Sequence, residues 1–169
     1  MRIRKKATVL AVLAVLVLSL IVAVQPVLAC RYGCTPGFWK RPQHFGYWTA
    51  PHVPDGDTPT LVGDVFDDAW TYFPDLADDT LLEALDYGGG PGPEGAAQIY
   101  LRAAVATLLN SAYNSAHGGS WWYGDVTPAQ VVGWVNEVLS WDNRGDVLSD
   151  AEWFDGINNL GCPLEGQDG

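Results

Sequence analysis

Positive charge is scarce beyond the first six residues. The chain holds 9 Lys+Arg against 20 Asp+Glu, and four of those nine are Arg2, Arg4, Lys5 and Lys6. After residue 29 only Arg31, Lys40, Arg41, Arg102 and Arg144 remain, five cations against 20 acids, for a net charge of −15. Phosphate binding needs clustered Lys/Arg, so this balance excludes nucleic acid and anionic headgroups as partners. Such an acidic surface serves solubility, and it also suits cation binding or a saline medium. Catalytic signatures are missing as well. There is no G-x-S-x-G elbow and no H-E-x-x-H pair. Cysteine is limited to Cys30, Cys34 and Cys162, which cannot close a zinc site without well-placed histidines. Aromatics are plentiful, with 8 Trp, 7 Tyr and 5 Phe, and this weighs against disorder.

One long apolar run is present. Ala7 to Val24 is interrupted only by Thr8 and Ser19, follows the basic cluster, and ends at Gln25-Pro26. Val27-Leu28-Ala29 then offers small or apolar residues at a cleavage site, so residues 1–29 read as an export signal. The run of roughly 18 residues exceeds the usual core of such a signal and nears spanning length, which leaves an uncleaved anchor as the alternative. Val27-Leu28-Ala29-Cys30 resembles a bacterial lipobox, with Val27 and Leu28 departing from its usual residues. Cys30 is therefore the candidate for lipidation, an ordinary cleavage site before a Cys being the competing reading. Residues 30–164 form a single exported domain and 165–169 a disordered polar tail.

An exported chain meets an oxidising compartment, so cysteine pairs are expected. A Cys34–Cys162 bridge would tie the domain's two ends and leave Cys30 free for lipid. A Cys30–Cys34 bridge competes, although it would constrain few residues.

The exported part has two textures. Arg31 to Pro74 is rich in Pro, Gly and aromatics, and Pro36, Pro42, Pro51, Pro54, Pro59 and Pro74 forbid long helices there. Short turns are expected, with one helical turn near Val65 to Trp70, held together by Phe38, Trp39, Phe45, Tyr47 and Trp48. From Asp79 onward the signals are helical. Thr80-Leu81-Leu82-Glu83 has capping-box form and opens a helix to about Tyr87. The glycines and prolines of 88–93 form a loop. The longest helix runs from about Ala96 to Ser115, apolar nearly all round and therefore central and buried. Thr127-Pro128-Ala129-Gln130 opens the next helix, with Val131, Trp134, Val135, Val138 and Trp141 on its apolar face. Ser149-Asp150-Ala151-Glu152 opens the last, anchored by Trp153, Phe154 and Ile157. The fold class is mainly α: a small helical bundle with an irregular Pro/Gly/aromatic-rich N-terminal segment wrapped on it.

Cys34-Thr35-Pro36-Gly37-Phe38-Trp39-Lys40 resembles the C-T-P-G-[YF]-W-K signature of a group of uncharacterised secreted bacterial and archaeal proteins. In that group an Ala/Leu-rich helix follows, here Leu101 to Asn110, and the domain ends in N-x-G-C-P-L, here within Asn158 to Leu164. The sequence departs where Asn-His often follows the Lys; Arg41-Pro42-Gln43-His44 stands instead. The resemblance implies an exported domain, often part of surface proteins, and implies no activity.

Candidate site residues each meet a structural alternative. Trp121 and Trp122, in a Gly-flanked loop, are the rings best suited to stack on a sugar, whereas Trp39, Phe45, Tyr47 and Trp48 read as packing. His44, His52 or His117 could join acids such as Asp55 and Asp57 in metal or acid–base chemistry. Asp55-Gly56-Asp57 has calcium-like chemistry, so calcium is the one cofactor the composition suits, although no EF-hand loop is present. Asp142-Asn143-Arg144-Gly145-Asp146 looks similar, but Arg144 falls where a ligand is wanted. Cys34 beside His44 could make a nucleophile, yet an exported Cys with a distant partner is more simply a disulfide.

The functional expectation is a non-catalytic exported domain with a structural or binding role at the cell surface. Its partner would be a cell-envelope or extracellular component, with the membrane reached only through the N-terminal signal, anchor or lipid. A carbohydrate- or calcium-dependent adhesion module using Trp121, Trp122, Asp55 and Asp57 is one alternative, and a small extracellular hydrolase is another.

Overall fold

The computed structural model describes residues 32–119 and 126–166. Within them the protein is mainly helical and has no sheet; strand-like pairing is confined to isolated bridges, Gly33 with Gly161 and Leu61 with Thr80. Short elements come first: α1 (Pro36–Trp39), a 3-10 turn (Pro42–Tyr47), α2 (Val62–Val65), α3 (Ala69–Tyr72), α4 (Pro74–Ala77) and α5 (Leu81–Ala84). Three longer helices follow: α6 (Gly92–Ala116), α7 (Pro128–Leu139) and α8 (Arg144–Asn158).

The prolines of the N-terminal segment start helical turns instead of suppressing them. Pro36, Pro42 and Pro74 each occupy the first turn of their element. Proline is harmless there, because the N–H it lacks would have had no partner inside the helix. A segment expected to hold one helical turn thus carries four, and a fifth begins at its last residue, Pro74. Thr35 caps α1 by accepting the Phe38 N–H at 3.3 Å. Trp39 is fully buried, Phe38 and Trp48 are nearly so, and all three belong to the main core.

Helix α6 is the axis of the molecule. It packs against α1, α5, α7 and α8. Leu101, Val105 and Leu108 are fully buried, and Ala97, Ala103 and Leu109 nearly so. Each buried Leu contributes about 1.5–3 kcal/mol, which is why an all-round apolar helix settles at the centre. Arg102, the one Lys or Arg in α6, is half-buried and donates to the Tyr87 carbonyl at 3.0 Å. The helix begins earlier than its apolar pattern, at Gly92. Gly95 allows this, since a Cβ there would lie 2.1 Å from the Gly90 carbonyl oxygen. The glycine-rich loop folds back onto the first turn of α6 through that contact.

The capping boxes at Thr80 and Thr127 form. Thr80 accepts from the Glu83 N–H at 3.1 Å while its own N–H donates to Glu83 Oε2 at 2.8 Å. The Thr127 N–H donates to Gln130 Oε1 at 2.9 Å, and Thr127 Oγ1 accepts from the Gln130 N–H at 3.3 Å. The expected start of α8 at Ser149 is corrected. The helix begins at Arg144, capped by Asn143, whose side chain accepts the Gly145 N–H at 2.8 Å. Ser149-Asp150-Ala151-Glu152 lies inside the helix, where intrahelical bonds already satisfy the N–H groups a cap would serve.

Cys34 and Cys162 form a disulfide across 128 residues of sequence, with their Cα atoms 4.4 Å apart. In the chain-entropy model a loop of that length stabilises the fold by about 5 kcal/mol at most. The bridge fits an oxidising, extracytoplasmic environment. Among the described residues no helix is long and apolar enough to cross a membrane.

Candidate functional site

Residues from the segments 34–40, 101–110 and 158–164 converge at the disulfide. Asn110, on α6, is fully buried and sits against the backbone of Cys34. Its Oδ1 accepts the Cys34 N–H at 2.9 Å and the Trp39 indole N–H at 3.3 Å. Its Nδ2 donates to the Cys34 carbonyl at 2.9 Å and to Asn158 Oδ1 at 2.9 Å. Asn158, the last residue of α8, in turn donates to the Ala103 carbonyl at 2.9 Å. The Thr107 hydroxyl lies 3.1 Å from Asn158 Oδ1 and 3.0 Å from the Ala103 carbonyl. An unpaired buried amide group costs about 1–3 kcal/mol, so a network with every Asn110 valence filled is a stabilising clamp. Gly33 completes it, pairing its N–H with the Gly161 carbonyl at 3.0 Å. A Cβ on Gly33 would lie 2.2 Å from the Ile157 carbonyl oxygen, so only glycine fits.

The histidines are held by the fold. His44 is buried, stacks on Phe38 with ring centroids 3.8 Å apart, and places Nδ1 2.7 Å from the Phe38 carbonyl. A carbonyl only accepts, so Nδ1 carries the proton. Cys34 is in the disulfide, which rules out a Cys34–His44 nucleophile in this state. His117 follows the end of α6, stacked on Tyr113 at 3.9 Å with Nδ1 2.8 Å from the Tyr113 carbonyl. His52 is buried, and its Nδ1 has no hydrogen-bond partner. Burial holds its imidazole below the usual histidine range.

Asp55 and Asp57 are exposed, and among the described residues no three His, Cys, Asp or Glu side chains gather as a metal site. The calcium-like stretch at Asp142 to Asp146 is the capped start of α8, with the Asn143 oxygen spent on the Gly145 N–H. Trp121, Trp122 and Cys30 lie outside the described residues.

A groove between α7 and α8 gathers residues that periodicity assigned to packing. Trp134, Glu137, Trp141, Asp150, Trp153 and Phe154 line a space of about 260 Å³. Trp134 and Trp141 are half-buried, and Trp153 is 44% exposed. Trp153 was expected as an anchor, but Phe154, its neighbour, takes the buried position against Tyr100 at a centroid distance of 5.5 Å. Trp134 and Trp153 stand 5.6 Å apart with planes at 81°, two walls meeting at a corner. Partial burial, then Glu137 and Asp146, push the Asp150 carboxyl above its ordinary value. Among the described residues no Lys, Arg or His lines the groove. Arg144, on the first turn of α8, lines an adjoining pocket that shares Val138 and Trp141 with the groove, and it donates to the Gly90 carbonyl at 3.3 Å. The signal for this groove was in the sequence as acids three residues from tryptophans, Trp134 with Glu137 and Asp150 with Trp153, a spacing that shares one helix face.

No protein-family model, no curated protein and no solved structure matches the chain, so what the site can do is argued from its own residues.

Proposed function

We propose that this protein is an exported, non-catalytic domain serving a binding or structural role at the cell surface. The disulfide between Cys34 and Cys162, closed over the asparagine clamp, carries this reading. Such a bridge persists outside the reducing cytoplasm and stiffens a domain that must survive without chaperones. The residues 1–29 supply the export route, and Cys30 supplies the lipid tether. The resemblance to secreted proteins then expresses a shared way of closing the fold: its Cys, Trp and Asn positions are occupied in packing and hydrogen bonding, and no reactive group is left at them. The partner is a cell-envelope or extracellular component reached by an acidic surface.

The intact mass of the protein from its native envelope fraction tests this. A chain beginning at a lipid-modified Cys30, with one disulfide and no free thiol after denaturation, is the expected species. Cys30→Ser should release the protein into the medium. Unchanged retention of that variant would instead mean an uncleaved anchor, and a cytoplasmic protein with reduced cysteines would overturn the reading.

A further inference from the structure

We propose that the groove between α7 and α8 binds a quaternary ammonium group, enclosed by Trp134, Trp141 and Trp153 and neutralised by Glu137 and Asp150. The proposal concerns a different part of the molecule from the disulfide junction and does not depend on where the protein resides.

Three observations select the occupant. The first is charge. Among the described residues two carboxylates and no cation line the groove, in a chain of net charge −15 beyond residue 29. A cation bound there relieves the repulsion between Glu137 and Asp150. The second is the kind of surface. Indole faces attract cations through the ring quadrupole, and Trp does so best among the aromatics. They supply no oxygen ligands, so a hard metal ion, which wants six or more oxygens, is poorly served by two carboxylates. The third is shape. A pyranose stacks on a flat, open platform, whereas the Trp134 and Trp153 planes meet at 81° and make a corner. A compact rounded cation, carrying few donors and a thin hydration shell, fills a corner and loses little on leaving water.

Choline is the probe. The indole N–H resonances of the exported protein are followed by NMR as choline chloride is added, with sodium chloride at equal ionic strength as reference. The expected result is saturable movement of the Trp134, Trp141 and Trp153 resonances with choline and none with sodium. Trp153→Ala, and Glu137→Gln combined with Asp150→Asn, should each weaken binding about tenfold or more. Trp153→Phe keeps an aromatic wall and should bind within a few-fold of the parent, which separates loss of the site from loss of the fold. A linear, unsaturated drift would overturn the proposal. So would full affinity in the double carboxamide variant, or saturation by a neutral glucose oligomer in place of choline, which would assign the groove to sugars.

Discussion

Asn110 makes four hydrogen bonds from one fully buried side chain. It is the point at which the backbone of Cys34, the indole of Trp39 and the end of α8 meet. Asn110→Ala removes four hydrogen bonds and leaves the Cys34 N–H and carbonyl buried without partners, so a loss of about 3–5 kcal/mol is expected in urea unfolding. Asn110→Asp keeps the acceptor but places a carboxylate against the Cys34 carbonyl and Asn158 Oδ1, and should cost at least as much. If either variant unfolds at the parent midpoint, the clamp is not the stabilising device argued above. An amide inside an otherwise apolar helix is visible in the sequence. Its partners, 48 and 76 residues away, are not, because hydrogen bonding at that range is set by tertiary packing. His52 makes a second prediction at this scale. Burial depresses its imidazole, and its Nδ1 has no partner. Below about pH 6.5 the unfolded chain takes up a proton that the folded protein resists. Stability therefore falls as pH drops through that range and on toward the depressed folded value. His52→Leu should shrink the loss in urea midpoint between about pH 7.5 and about pH 5.5. An unchanged loss would assign that pH dependence to other groups.

Among the elements, caps were legible where the side chain reaches its own backbone three residues on. Thr80 with Glu83 and Thr127 with Gln130 are pairs of this local kind, and both boxes form. The same pattern at Ser149 misled, since Asn143 starts α8 six residues earlier. Asn143-Arg144-Gly145 lacks a Glu or Gln to complete a box, and the Asn–Gly bond spans only two residues. The competing cap lost because Val147 and Leu148 already pack on the core side of the helix. Their burial carries the helix through the Ser149 position. Asn143→Ala should accordingly cost about 1 kcal/mol, and Ser149→Ala only a few tenths. Thermal unfolding of the two variants distinguishes the starts, and the reverse ranking would restore Ser149 as the cap. Proline misled in the opposite direction. It marks where helices cannot continue, and the sequence pattern does not say that a turn will begin on it, as happens at Pro36, Pro42 and Pro74.

Taken whole, the molecule joins a well-tied interior to a weakly neutralised surface. The bridge joins Cys34 near the start of the described residues to Cys162 near their end, and the central helix is buried all round over 103–112. Cysteine arithmetic favoured Cys34–Cys162 with Cys30–Cys34 as the competitor, and the buried helix followed from apolar content, a global property that a sequence displays directly. The aromatic corner did not, because half-burial depends on how α7 and α8 lean together. The chain carries 20 acids against five cations beyond residue 29, and a single ion pair, Lys40 with Asp86, joins them among the described residues. Like charges at that density repel across the compact state far more than across the expanded one, so folding works against its own field. Salt should therefore stabilise the protein. The Debye length is about 10 Å at 0.1 M and about 3 Å at 1 M, so screening should be nearly complete by the higher concentration. The melting temperature is expected to rise steeply in the low range of sodium chloride and to flatten toward 1 M. Preferential exclusion of salt from apolar surface would give a different curve, rising linearly past that point. A flat melting temperature across the whole series would mean that the carboxylates stand too far apart to oppose folding.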